Sequence, residues 1–424
     1  MVTAIAHPNI ALVKYWGKRD VRLNLPSTGS LSMTVDTFRT RTTVNWGAGA
    51  DELWIDGELA DIKPARRVFE HLDRIDPALR ERILLESGYA ERFGYSDAWL
   101  RERVGGVVGR DELFARSEII LMPKPTAEDF PSFREGQILW GWPHCVQGPG
   151  ITQLGIDRKL TMIAWEAMHL WRGDAWDLHV FHLNNEIAGY AGVLHALQLR
   201  GITGHYGAAR KACVIGFGSV GRGAIHALQG LGVNDITLFT QRPGHTVGQP
   251  IPSVKHWQYA RTGEGDACHV ILDSGDMPMA RALGHFDIVV NCALQDTDAP
   301  MMYVAEGELG ELQRDTLIID VSCDEGMGFH FAKPTSFEDP CFHVGDHCMY
   351  YAVDHTPSYL WDSATQTIST ALLPFIPVVM AGPDAWDADA TIRKSIEIRD
   401  GVVVNPKILS FQGRAEAYPH PLEG

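Results

Sequence analysis

The sequence predicts an α/β chain of two parallel-sheet domains, preceded by a β-rich arm and closed by a helical segment. Three stretches carry that reading. Lys211 to Gly230, KACVIGFGSVGRGAIHALQG, runs from an apolar strand pattern through a glycine turn into a helix pattern. RSEIILMPKP, ILWGWPHC and KLTMIAWEAM read as further strands, with a helix pattern (Pro149 to Lys159) between the last two. Such alternation builds parallel sheets. Residues 2 to 60 instead break into short strand candidates divided by Asn, Pro and Gly.

The first stretch is the most informative. Gly216, Gly218 and Gly221 stand in G-x-G-x-x-G spacing directly after the apolar run Ala212 to Ile215. Ala224, Ile225, Ala227, Leu228 and Leu231 then form the apolar face of a helix. Gly216 is expected to make the turn, Gly218 to let backbone N–H groups approach a pyrophosphate, and Gly221 to let helix and strand pack closely. Ser219 and Val220 open the helix, whose positive N-terminus attracts phosphate. A purely structural glycine turn is the alternative. The second strand that follows, Asp235 to Thr240, favours a Rossmann dinucleotide-binding domain. An NAD-binding chain carries Asp or Glu at the end of that strand. Here the strand ends Thr240-Gln241-Arg242, and Asp235 lies at its other end. Gln241 and Arg242 suit a 2′-phosphate, so NADP(H) is expected over NAD(H). A solvent-exposed Arg242 without a ligand is the competing reading.

A chain of 424 residues holds two or three domains. A net charge of −16 argues against nucleic acid or anionic membrane as partners. No apolar run approaches the roughly 18–20 residues of a membrane span, and no signal-peptide pattern opens the sequence. Seven cysteines without a C-x-x-C fit a reduced, cytoplasmic protein. Cys341, His343, His347 and Cys348 do not follow a standard zinc spacing, so no metal is expected there. The anticipated partners are small-molecule substrates and further copies of the chain.

NIALVKYWGKRD, followed by LNLPSTGSLSMTVD, resembles the amino-terminal end of diphosphomevalonate decarboxylase, over residues 1–67. In that family the residues matching Tyr15, Trp16 and Lys18 help hold a diphosphate. Its ATP loop and catalytic Asp have no counterpart here, so the segment is expected to be a structural arm without decarboxylase chemistry.

Residues 68–190 read as a substrate domain, 191–355 as the dinucleotide domain, and 356–424 as a helical segment returning to the first sheet. ALRERILLESGYAERFG reads as a helix ended by Gly88 or Gly94. NEIAGYAGVLHALQL reads as a long buried helix between the domains, and DIVVNCAL and TLIIDVSCD as later strands of the dinucleotide domain. The last of these is read as closing at Asp324. A further helix pattern spans Ser358 to Leu373.

LMPKP, ILWGWPHCVQGPGITQ, GITGHYG, IDVSCDEGMGF and VDHTPSYLWDSAT carry a longer resemblance, from about His71 to Gly424, to the alanine dehydrogenase and transhydrogenase superfamily. Within it the chain is most similar to N5-(carboxyethyl)ornithine synthase-like members. The resemblance implies NADPH-dependent reduction of the imine between pyruvate, or a similar 2-oxo acid, and the side-chain amine of ornithine or lysine. It implies that Lys124 binds the oxo acid, His144 serves as acid and base, Asp324 orients substrate and ribose, and Leu294 lies near the nicotinamide. Glu166 and Glu186 are weaker candidates for a substrate ammonium, since acids at helix starts usually serve as caps. The family's opening strand and helix, with an Arg that grips the substrate carboxylate, is replaced here by the decarboxylase-like segment. Arg66 and Arg67 lie nearest the junction. Each lost charge-assisted contact costs about 1.5–3 kcal/mol, so activity impaired by the exchange is part of the expectation.

Overall fold

The computed structural model describes residues 81–422 and Leu79, apart from positions 262, 264, 266, 297–298 and 346–347, together with the backbone of eight short strands between Val2 and Leu59. The chain divides into two units, Met1–Arg80 and Glu81–Gly424. In the first, Val2–Ala6 pairs with Thr40–Val44 and Asn9–Val13 with Leu31–Thr34, both antiparallel. Lys18–Asp20 with Leu25–Pro26 and Trp54–Ile55 with Glu58–Leu59 make two smaller antiparallel pairs. Arg66 and Arg67 lie outside the described residues.

The second unit is built on two main sheets, with three two-stranded pairs beside them among the described residues. The smaller main sheet places β1 (Ile119–Met122), β2 (Ile138–Gly141) and β3 (Thr161–Ala164) side by side and parallel. Their apolar runs suit burial on both faces. Leu139 packs with Ile120, Met162 and Ile398 on one side, and Trp140 with Ile163, Trp165 and Phe181 on the other. The expected helix Pro149 to Lys159 is present as Pro149–Asp157.

Two readings of this region are corrected. Residues 81–94 do not form one continuous helix: Leu84–Glu86 is a strand paired in parallel with Gly106–Val108, and only a short 3₁₀ turn, Glu91–Phe93, follows. The pairing satisfies the backbone of that run, and Gly88, at φ +82°, turns the chain immediately after it. The C-terminal segment is not purely helical either. It includes the expected helix, as Trp361–Leu372, but Ile396–Arg399 then joins the sheet beside β3, antiparallel to it, and Val402–Val403 follows at the edge. Ile396 and Ile398 are buried on opposite faces, which makes this strand part of both cores.

The larger sheet holds six parallel strands. They are β4 (Lys211–Ile215), β5 (Asp235–Thr240), β6 (Lys255–Arg261), β7 (Ile288–Asn291), β8 (Leu317–Asp320) and β9 (Cys348–Tyr351). Their spatial order is β6-β5-β4-β7-β8-β9, with antiparallel strands added outside β6 and β9. This is the doubly wound order, whose direction reverses between β4 and β7 and opens a crevice at the carboxyl ends there. Alternate residues of β4 serve opposite cores, Ala212 and Val214 on one face and Cys213 and Ile215 on the other. Cys341 sits opposite Tyr351 and Cys348 opposite Val344, so this hairpin holds the two thiols at its opposite ends.

The helix α1 (His182–Arg200) lies against α2 (Ser219–Gly230) through a reciprocal glycine contact. A Cβ on Gly189 would lie 1.9 Å from the carbonyl oxygen of Val220, and one on Gly223 would lie 1.8 Å from that of Glu186. Gly223→Ala should therefore lower stability by about 1–3 kcal/mol through overpacking. Gly230→Ala, where a Cβ meets open space in the same helix, should be neutral or stabilising by up to about 1 kcal/mol. Equal urea midpoints for the two variants would contradict this packing.

Candidate active site

The carboxyl ends of the two sheets bring the candidate residues together. Met122, Gly141 and Ala164 end β1, β2 and β3 in register. Lys124, His144 and Glu166 follow two, three and two residues later, on the same edge. Across from them Asp354 lies three residues beyond the end of β9. Asp324 follows β8 but does not close it: that strand ends at Asp320, and Asp324 lies in the loop beyond. This corrects the sequence reading, because Asp320 is turned inward by its own bonds. It accepts from Asn291 Nδ2 at 2.9 Å, Tyr350 Oη at 2.8 Å and the Cys323 N–H at 2.9 Å. Burial raises the Asp320 pKa to about 6.

Lys124 is ion-paired with Asp354, both side chains remaining about half exposed. His144 has a positive φ of 49°, unusual for a non-glycine residue. Its N–H donates to Glu166 Oε1 at 2.8 Å, and its Nδ1 lies 4.0 Å from the same oxygen. Burial lowers the His144 pKa, and the Lys124 ammonium lowers it further, partly offset by Asp354. Burial and the Asp354 carboxylate raise that of Asp324. A cation able to hold a carboxylate, an imidazole with a lowered pKa and a carboxyl with a raised one thus meet at these sheet edges. Proton transfer at a carbonyl or imine needs groups of this kind.

Beside it lies the β4/β7 crevice. Gly216 turns the chain at φ +93°, and a Cβ there would lie 2.9 Å from the Cys292 carbonyl oxygen. A Cβ on Gly221 would lie 2.2 Å from the Gly216 carbonyl oxygen, whereas one on Gly218 would meet nothing within 4 Å. The turn is therefore tight beneath and open above, with Ser219 and Val220 beginning α2. These features fit a dinucleotide pyrophosphate. Leu294, three residues past β7, is 95% exposed instead of being packed in a core. Gln241 and Arg242, at the end of β5, are exposed, and Thr240 Oγ1 donates to the Arg242 carbonyl oxygen at 2.6 Å.

Residues 195–406 match the family described as alanine dehydrogenase/PNT, C-terminal domain, half of the chain. The chain belongs to this alanine dehydrogenase/PNT family. Residues 6–91 match a second description, diphosphomevalonate decarboxylase-like N-terminal domain. The chain is similar to an N(5)-(carboxyethyl)ornithine synthase of Clostridium botulinum, 26% identical over 68% of this chain and 83% of the relative. It is also similar to an alanine dehydrogenase of Halomonas elongata, 24% identical over 79% of this chain and 88% of the relative. A solved L-alanine dehydrogenase matches its fold with a TM-score of 0.62 at 19% identity, covering 79% of this chain and 94% of the other.

Two members of the site in this alanine dehydrogenase/PNT chain escaped the sequence reading. Asp354 stood within VDHTPSYLWDSAT but was not singled out; its position at a strand's carboxyl end was the available signal. Glu397, 5% exposed on the C-terminal strand, gave none. Burial and then the Glu397 charge raise the Glu166 pKa to about 8. Glu186 instead lies on α1, where its backbone carbonyl packs on Gly223.

The raised Glu166 value has a consequence for stability. The folded state binds this proton more tightly than the unfolded chain, so the contribution is present at low pH and is lost as pH rises through about 8. Gln mimics the protonated carboxyl and retains the acceptor for the His144 N–H. Glu166→Gln should flatten the fall in unfolding free energy between about pH 4.5 and 8. Parallel curves for wild type and variant would show that Glu166 titrates normally.

Proposed function

We propose that the chain is an NADPH-dependent oxidoreductase that reduces the imine formed between pyruvate, or a similar 2-oxo acid, and the side-chain amine of ornithine or lysine. The observation carrying this reading is the juxtaposition of Lys124, His144, Asp324 and Asp354 at facing sheet edges, beside the glycine turn. Similarity to carboxyethylornithine synthase supports the choice of substrates. NADPH, when bound, supplies the hydride. Gly216, Gly218, Ser219, Val220 and Gly221 would hold its pyrophosphate, Gln241 and Arg242 its 2′-phosphate, and Leu294 would cover the apolar side of the nicotinamide.

Lys124 holds the oxo-acid carboxylate, exchanging its pairing with Asp354 for the substrate. His144 moves a proton at a ring nitrogen. Its lowered pKa makes the imidazolium a ready donor to the imine nitrogen and leaves the neutral ring as base in the reverse direction. Asp324 orients the reacting groups. The N-terminal unit acts as a structural arm.

An alanine dehydrogenase reading, with ammonia as the amine, is supported by the Halomonas relative. Incubating the protein with pyruvate, NADPH and ornithine, lysine or ammonia, followed by mass spectrometry, separates the readings. A carboxyethyl amino acid is expected. Alanine alone would favour the second reading, and no turnover with intact dinucleotide binding would mark a chain disabled by its exchanged front end. ATP-dependent carbon dioxide release from diphosphomevalonate would overturn the inactive-arm assignment.

A further inference from the structure

The loop that carries Arg242 has little regular structure of its own, containing one short 3₁₀ turn at Gly244–Thr246. It is fastened at both ends. At its start, Thr240 Oγ1 bonds both the Arg242 carbonyl oxygen and His256 Nε2, each at 2.6 Å. Gly244 lies against the same imidazole, where a Cβ would come within 2.8 Å of Nδ1. Further along, Val247 is buried in the core and Ile251 and Val254 pack against it, and a side chain from outside the loop adds a polar fastening. Arg222, in the first turn of α2, donates from Nη2 to the Gly248 carbonyl oxygen at 2.7 Å and from Nη1 to that of Gln249 at 2.9 Å. Its guanidinium also lies 4.1 Å from the ring centroid of Phe217, the residue between the first two motif glycines.

One planar cation thus ties the pyrophosphate turn to the loop that reads the adenosine ribose. We propose that Arg222 is a specificity-determining positioning residue, a clamp that holds the Arg242 loop in register with the glycine turn so that Arg242 meets a 2′-phosphate. The inference rests on the NADP(H) reading of Arg242. Arg242 then needs no ion pair of its own to be placed, because its backbone is placed for it. The geometry favours arginine. A planar fork presents two N–H groups to adjacent carbonyls while its flat face stacks on an aromatic ring, whereas a lysine ammonium, a compact point charge, can face the ring or a carbonyl but does not reproduce the bidentate, stacked arrangement.

The test compares Arg222→Lys with wild type in the full chain, so that the charge is retained. Without cofactor, amide exchange at Thr246 and Val247, whose N–H groups bond Pro243 and Gly244 within the loop, should accelerate about tenfold or more. The ratio of KM for NADPH to KM for NADH should rise by about tenfold, the size of one charge-assisted contact. Wild-type exchange in the variant would overturn the clamp. Faster exchange with an unchanged ratio would overturn its role in specificity, as would equal losses for both cofactors. Failure of the underlying NADP(H) reading looks different: Arg242→Ala would then leave the ratio unchanged in an otherwise wild-type loop.

Discussion

Replacing His144 with alanine should lower turnover by about 10²–10⁴-fold, the usual contribution of one positioned acid or base, while dinucleotide binding persists. His144 lies on the substrate-sheet edge, its backbone N–H held by Glu166 and its imidazole pKa lowered by desolvation and then by the Lys124 ammonium. The phosphate turn is built by a different sheet, from Gly216 to Gly221. Loss of one should leave the other intact. Lys124→Ala should also suppress turnover, with its larger effect on the affinity for the 2-oxo acid. Stability should change little, because the Lys124–Asp354 pair is half exposed, and such pairs contribute at most about 1 kcal/mol. Dinucleotide binding followed by nicotinamide fluorescence, alongside urea unfolding, checks both variants. A variant that loses binding and folding together would show its residue to be structural.

Arg242→Ala should raise the ratio of KM for NADPH to KM for NADH by about 10- to 150-fold, the equivalent of one charge-assisted contact of about 1.5–3 kcal/mol. No acid closes β5, and Asp235 is held at the opposite end by Lys255, 2.7 Å away. Where an NAD-specific strand would offer a carboxylate, this one is followed by Gln241 and Arg242. Competition between the two cofactors in a direct binding assay gives the same ratio without turnover. Equal loss for both would remove the 2′-phosphate assignment.

What could be read before any coordinates was local. Gly216, Gly218 and Gly221, the apolar strand before them and the apolar helix face after them lie within twenty residues, and backbone sterics act over that range. The same holds for Lys124 and His144, each placed by a strand that ends just before it. Asp354 was different. Its partner Lys124 is 230 positions away, and no periodicity in either segment records that two sheet edges will meet. Residues 79–94 show the same limit. Charged and apolar spacing alone describes an amphipathic helix, yet Leu84–Glu86 pairs as a strand with Gly106–Val108, since β-propensity follows the neighbours a segment finds. Glu397 reaches the site region because a late strand inserts antiparallel beside β3. By itself the sequence determined the glycine turn, the parallel strands and the residue types at their carboxyl ends. Tertiary structure decided which of those ends face one another and which carboxyls lose water, because pairing and desolvation depend on segments far apart in the chain.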